Sequence, residues 1–257
     1  MNIAICLKQV PDTADLRLDP DTNTLIREGV AAVLNPLDEF PMEAALRLRA
    51  AVDGRVTAFT MGPPQAVAVL RRALAMGVDD AVLVSDRAFA GADTWATSLT
   101  LAAAIKKRGP FDVVLCGKQA IDGDTAQVGP GIAAHLGVAQ VTYVTDVQAA
   151  ESAEKLRIRR MLEHGVAELA VATPVVLTVL KEANEPRLPT LSERLRSYRQ
   201  EIETLTLDDL GRTSDEVGLD GSPTQVVRIA VPESTRAHRR IEGTAEQCAE
   251  ELVKELG

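Results

Sequence analysis

A chain of 257 residues that is 46% hydrophobic and 25% charged has the make-up of a folded globular protein. That composition excludes disorder throughout, and the length allows a core without a disulfide or metal staple. Its 28 Lys and Arg stand against 37 Asp and Glu, a net charge of −9, which argues against nucleic-acid binding, where affinity comes largely from neutralised phosphates. One Trp, two Tyr and four Phe leave few aromatic faces for a single-strand stacking groove.

The opening MNIAICLKQVPDT has no basic region, and its apolar run is too short for a signal peptide. No later apolar run approaches the roughly twenty residues of a membrane span. Residues 2–7 read as a buried strand. A helical pattern follows at 38–51, where Met42, Ala45, Leu46 and Leu48 form an apolar stripe. A strand at 55–60 leads through Pro63 and Pro64 into a helix at 65–76 that Gly77 stops. After a strand at 81–84 comes a helix at 94–107, with Asp93 or Thr94 as its cap and lysines in its last turn, where they suit the helix dipole. A strand at 112–116 and a helix opening near Gln127 and ending at 136–137 complete this series.

Such alternation with short connections implies an α/β fold: a Rossmann-like, mainly parallel sheet with helices on both faces. In these sheets ligands bind beyond the carboxyl ends of the strands, which directs attention to residues 8–13, 60–64, 85–94 and 117–129. After Val138 the pattern shifts to strands at 156–161, 166–171 and 174–180, with an antiparallel pair among them. From Lys181 the charged stretch KEANEPRLPTLSERLRSYRQEIETLTLDDLGRTSDEVGLDGSP reads as an extended C-terminal arm. Thr244-Ala-Glu-Gln247 is a capping box, after which Ala245, Cys248, Ala249, Leu252 and Leu256 share one apolar face. A helix this small must dock on its own domain or on a partner subunit.

The richest chemistry lies in GKQAIDGDTAQVGPGIAA at 117–134. Its glycines let backbone approach a ligand closely. Asp122, Asp124 and Thr125 supply acceptors and a hydroxyl, and N–H groups at the start of the next helix suit a pyrophosphate. Gly129-x-Gly131-x-x-Ala134 fits a relaxed dinucleotide fingerprint only loosely, since it lies a dozen residues past its strand. The plain alternative is a polar surface loop. Asn35-Pro36 starts a turn or offers an amide to an adenine edge. Gly62-Pro63-Pro64 is a turn or a wall for a planar ring, and Trp95 reads as core. Cys6, Cys116 and Cys248 are odd in number and form no CxxC, so the simplest reading is reduced thiols in a cytoplasmic protein, with Cys6 and Cys116 inert in the core. His135, His164 and His238 have no ligand spacing, so no metal site is expected. Nothing pairs a nucleophile with a base, so any redox chemistry needs a bound cofactor.

These segments resemble the β subunit of an electron transfer flavoprotein. The resemblance runs through CLKQVPDT, NTLIREGV, NPLDEF, MGPPQA, ALAMGVDDAVL, GADTWATS, CGKQAIDGDTAQVGP and KEANEPRLPTL, almost the whole chain. It implies a heterodimer with an α subunit that carries an electron-shuttling FAD. It further implies a nucleotide-binding α/β domain at 1–185 and an arm at 186–257 that embraces the α subunit. In conventional members the β-subunit nucleotide is a structural AMP; in electron-bifurcating members it is a second, catalytic FAD. The family pattern places that nucleotide against Cys6, Asn35, Pro36, Met61 and Gly62, and on Asp122, Gly123, Asp124, Thr125, Ala126, Gln127, Val128, Gly129 and Ala133. Thr94 and Thr97 match positions that contact the flavin ring, and Leu191 matches the anchor that docks on partner dehydrogenases.

GADTWATS, NTLIREGV and DGDTAQVGP look closer to bifurcating members, which favours FAD. In that reading NADH delivers a hydride, one electron goes to ferredoxin or flavodoxin, and the other goes through the α-subunit FAD to an acyl-CoA dehydrogenase. The rival within the family is an AMP-binding carrier between a dehydrogenase and a quinone reductase. A rival from another class is a stand-alone nucleotide-binding regulator resembling universal stress proteins, which leaves the arm unexplained. The segment SERLRSYRQE is more mixed in charge than the lysine-rich stretch of some conventional members.

Overall fold

A computed structural model describes residues 1–12, 17–18, 25–26, 32–150, 155–227 and 240–256. Most of NTLIREGV, and His238, lie outside the described residues. The elements run β1 (Asn2–Cys6), β2 (Gln9–Pro11), β3 (Arg17–Leu18), β4 (Leu25–Ile26), β5 (Ala32–Leu34), α1 (Glu39–Val52), β6 (Arg55–Met61), α2 (Val67–Met76), β7 (Asp80–Val84) and α3 (Thr94–Arg108). They continue with β8 (Val113–Gly117), α4 (Val128–Leu136), β9 (Ala139–Ala149), β10 (Lys155–Leu162), β11 (Gly165–Ala172), β12 (Val175–Val179), α5 (Leu191–Arg199), β13 (Glu203–Leu205), α6 (Leu207–Leu210) and α7 (Ala245–Leu256).

Among the described residues nine strands form one sheet, in the order β11-β10-β9-β12-β8-β1-β6-β7-β13. From β9 through β13 the neighbours are parallel, while β10 and β11 extend the β9 edge as an antiparallel hairpin. This is the expected α/β class. The apolar runs are short and continuous because these strands are covered on both faces. On one face Ile3, Ile5, Val113 and Leu115 pack against Leu46, Leu70 and Leu74 of α1 and α2. On the other, Ala4, Val114 and Phe59 pack against Leu101, Ile105 and Ile132 of α3 and α4.

The chain leaves β1 for β6 and β7 on one side, then returns through α3 to β8 on the other side of β1. The strand order therefore reverses between β1 and β8, and a crevice opens beyond their carboxyl ends.

Four departures from the sequence reading have physical causes. The helix at 38–51 starts at Glu39, after a 3₁₀ turn over Pro36–Asp38, and the Asp38 side chain turns inward without capping it. The helix at 65–76 starts at Val67, because Pro64–Ala66 form another 3₁₀ turn. Residues 139–149 form a long strand that the sequence pattern does not signal; its half-buried faces lack clean alternation, and Tyr143 sits at φ 59° where the pairing with β12 slips. Trp95, read as core, is 55% exposed and stands edge-on to His135 at 4.6 Å between ring centroids.

The arm returns to the domain it leaves. β13 pairs with β7 as the last strand of the sheet. α5 opens with a capping box, in which Thr190 Oγ1 accepts from Glu193 N–H at 3.2 Å and Thr190 N–H donates to Glu193 Oε2 at 3.0 Å. Arg71 of α2 donates to the carbonyls of Ser197 and Gln200 at the end of α5. α7 also carries its capping box, with Thr244 N–H on Gln247 Oε1 at 3.0 Å. Its Leu252 and Val253 face solvent and Cys248 is half-buried.

Candidate functional site

At the switch point lies a cleft of about 1160 Å³. Its floor is the ends of β1 and β8, from Cys6 to Lys8 and from Cys116 to Lys118. One side is formed by the turn at Asn35 and Asp38 and by Met61 to Pro64 after β6. The other is formed by residues 85–87 and 89–94 leading into α3 and by residues 119–120 and 123–128 leading into α4.

The cleft brings together Cys6, Asn35, Met61, Gly62, Thr94, Thr97, Gly123, Asp124, Thr125, Ala126, Gln127 and Val128, all singled out from sequence. Asp122 does not line it, but its Oδ1 takes the ammonium of the lining residue Lys8 at 2.7 Å. Pro36, Gly129 and Ala133 do not line it. Pro36 opens the 3₁₀ turn. Gly129 lies against the sheet, where a Cβ would come within 2.6 Å of Thr178 Cγ2, and Ala133 is on the buried side of α4. Leu191 lies apart from the cleft on α5, 75% exposed.

The two helices that end at the cleft differ at their N-termini. α3 is closed by Asp93, whose Oδ1 accepts from Ala96 N–H at 3.0 Å. Asp93 Oδ2 accepts from Thr224, through the backbone N–H at 3.0 Å and the hydroxyl at 2.7 Å. Burial alone would raise this carboxyl, but the Ala96 and Thr224 donors outweigh it and hold the pKa below the ordinary value. α4 has no side-chain cap. Before it, Asp124 (φ 53°) and Ala126 (φ 56°) adopt left-handed backbone, and Gln127 returns to the right-handed region at φ −112°, ψ −11°. A left-handed residue followed by a right-handed one turns successive N–H groups to one side, a concavity that suits an anion. Added to the open helix end, this suits the backbone from 125 to 128 to an anion, the Asp124 N–H being donated to the Ala120 carbonyl at 2.9 Å. Non-glycine residues held at positive φ are costly, and such strain gathers at ligand sites.

The turn at Asn35 is a rigid scaffold. Asn35 Nδ2 donates to Asp38 Oδ1 at 2.9 Å and to the Gln119 carbonyl at 3.0 Å, while its Oδ1 accepts from Ile121 N–H at 3.4 Å. The amide that sequence reading offered to an adenine edge is thus engaged within the protein, tying the loop after β8 to the turn after β5. Asp38 Oδ2 accepts from Lys8 N–H at 2.7 Å. Burial raises the Asp38 pKa to about 7, against the opposing pull of Lys8 N–H and the Asn35 amide.

Lys8, Asp38 and Thr224 were missed as site residues. Lys8 lies in the segment flagged after the first strand, so its place was readable. Asp38 looks like an ordinary helix cap, which hid its burial. Thr224 meets Asp93 from 131 residues away, and no local pattern signals that contact. Among the described residues no group of three or more His, Cys, Asp or Glu is placed to hold a metal, and no helix is long and apolar enough to cross a membrane.

Residues 22–210 match the family model described as "Electron transfer flavoprotein domain". The chain is 49% identical over 257 residues to "Electron transfer flavoprotein subunit beta" of Thermoanaerobacterium thermosaccharolyticum, spanning 100% of this chain and 98% of the relative. It is 47% identical over 258 residues to "Caffeyl-CoA reductase-Etf complex subunit CarD" of Acetobacterium woodii, with the same coverage of 100% and 98%. It is 44% identical over 259 residues to "Protein FixA" of Bradyrhizobium diazoefficiens, spanning 98% and 90%. The chain belongs to the electron transfer flavoprotein family, as a β subunit.

Proposed function

We propose that this electron transfer flavoprotein β subunit holds an FAD in the switch-point cleft and works in a heterodimer with an α subunit. The observation that carries the reading is the extent of the cleft. From the anion-suited backbone at 125–128 it continues to Thr94 and Thr97 at the start of α3, and its volume of about 1160 Å³ exceeds the roughly 300–1,000 Å³ usual for small-ligand sites. A mononucleotide needs less of this space than a dinucleotide does.

The residues fit such a group. The uncapped α4 end and the 125–128 backbone receive the pyrophosphate. Gly123 faces open space, where an added Cβ would find only Lys8 Nζ at 4.0 Å, so a ligand can approach its backbone. Thr94 and Thr97 line the cleft at the start of α3, where hydroxyls suit a flavin ring, and Met61 to Pro64 line it after β6. When bound, an FAD here would supply hydride chemistry with NADH and single-electron transfer toward ferredoxin or flavodoxin and, by way of the α subunit, an acyl-CoA dehydrogenase. The chain's own part is to orient the ring and exclude water and oxygen. An acyl-CoA-type partner is supported by the relative whose name places it in a caffeyl-CoA reductase complex.

Leu191, Leu195 and Tyr198 recur at helical spacing on α5 and are exposed together with Leu188. We assign this face to dehydrogenase docking, and the exposed apolar residues of α7 to the α subunit. The second reading is a structural AMP whose single phosphate uses the same uncapped start of α4. Anaerobic titration of the heterodimer with NADH separates the two. Bleaching of flavin absorbance by NADH alone supports the FAD reading; spectra indifferent to NADH support the AMP carrier.

A further inference from the structure

Cys6 and Cys116, distant in sequence, are direct partners in the parallel register of β1 and β8. Both belong to the layer beneath α3 and α4, both line the cleft, and both are nearly buried, at 8% and 5% exposure. Adjacent strands hold paired backbones about 4.8 Å apart, inside the roughly 4.4–6.8 Å that a disulfide spans between Cα atoms. The Cys6 thiol, ahead of burial, pushes the Cys116 thiol well above its ordinary pKa, which marks the two as interacting. A thiol held protonated is a weak first nucleophile. Cys116 is also the more shielded of the two: an added Cβ on Gly129, in the first turn of α4, would lie 3.7 Å from its Sγ. A reagent entering the cleft therefore meets Cys6 first.

We propose that Cys6 and Cys116 form a dithiol modification site on the cleft floor, which a low-molecular-weight disulfide converts into a reversible Cys6–Cys116 bridge. The Cys6 thiol, after losing its proton to solvent, attacks one sulfur of the reagent. A mixed disulfide forms, the reagent's S–S bond breaks, and one thiolate leaves and takes up a proton. Cys116 Sγ then attacks Cys6 Sγ. The Cys6–Cys116 bond forms, the mixed disulfide breaks, and the second reagent thiol leaves with the proton from Cys116. Two protein thiols have given up two electrons and one reagent disulfide has become two thiols. The bridge joins residues on the wall that faces a bound nucleotide, so it couples thiol redox state to the floor of the site. The proposal does not depend on which nucleotide binds.

The test treats the heterodimer, freed of nucleotide by dialysis and checked by circular dichroism, with oxidised glutathione. Tryptic peptides are then mapped without reduction. Cleavage after Lys8, Arg108 and Lys118 puts the two cysteines in separate peptides. The expected result is one disulfide-linked pair of these peptides, with this chain's titratable thiols falling from the three free cysteines to one and recovering with dithiothreitol. Cys6→Ser and Cys116→Ser each abolish the linked pair. Glutathione adducts on single cysteines without a linked pair, or three unchanged thiols in the folded protein, would overturn the proposal. Nucleotide binding can hold while the bridge fails, and the reverse, so the two readings fall separately.

Discussion

Glu43 of α1 is clasped by Arg187, 144 residues further along the chain. Arg187 Nε donates to Oε2 at 2.7 Å, Nη2 to Oε1 at 3.1 Å, and the Arg187 backbone N–H to Oε2 at 3.2 Å. Arg47 Nε adds a bond to Oε1 at 2.7 Å, and its Nη2 reaches the Glu185 carbonyl at 3.2 Å. The Glu43 side chain is only 4% exposed. This clasp ties the chain to α1 immediately before Leu188 and four residues before Leu191.

Glu43→Gln should therefore loosen the arm base. Burial alone would raise the Glu43 pKa, but Arg187 and Arg47 outweigh it and lower the value from 4.5. A carboxyl lowered in the folded state contributes stability that is full above its unfolded pKa and is lost as pH falls through the folded one. The variant should lose about 1–3 kcal/mol at neutral pH, and the gap to the parent should close as pH drops below 4.5. Thermal melts across this range check it; a gap independent of pH would contradict it.

Asp38 has the opposite sign. Its folded pKa of about 7 lies above the ordinary 3.8, so its contribution is full below about 3.8 and is lost as pH rises through about 7. The parent should lose stability between these values relative to Asp38→Asn, which cannot ionise. Paired melts at acidic and neutral pH read the difference of slopes, and parallel curves would refute it.

Gly123→Val should leave the fold intact, because only the distant Lys8 Nζ meets an added Cβ, while the side chain fills space meant for a ligand. Bound nucleotide in this subunit should fall several-fold with melting of the nucleotide-free form unchanged. Gly129→Val is the contrasting case. It drives a methyl toward Thr178 Cγ2, 2.6 Å from an added Cβ, and should destabilise the fold itself. Equal nucleotide content in Gly123→Val and parent would remove 123 from the site.

Leu191→Ala should leave stability within error, since the residue is 75% exposed. It should cost about 1–2 kcal/mol in docking, a roughly 5- to 30-fold rise in KM for the acyl-CoA dehydrogenase, with little change in kcat. Steady-state kinetics with the NADH-reduced heterodimer as electron donor to the dehydrogenase decides, and an unchanged KM would move the docking face elsewhere.

Local chemistry made much of this molecule readable. The apolar runs ending at Cys6 and Cys116, and the helix signals at Asp93 and Gly77, placed the parallel sheet and the direction of its site. The 117–134 segment stood out because glycines, acids and a helix start coincide there. What escaped depends on contacts that sequence spacing does not encode. Asp38 resembles a solvent-exposed cap until the turn buries it against Lys8 and Asn35. Trp95 looks like core because of its type, yet it lies on the outer side of α3. The charged arm hides β13, whose three residues gain their ladder only from β7. The resemblance supplied the nucleotide and partners, which no local pattern here could name.

The most direct test of the central claim is a nucleotide count. The co-expressed heterodimer is incubated with excess FAD, freed of unbound ligand and denatured, and the released nucleotides are quantified. The account predicts two FAD per heterodimer and no AMP. One FAD and one AMP would contradict it, leaving this subunit with a structural nucleotide and all redox chemistry on its partner.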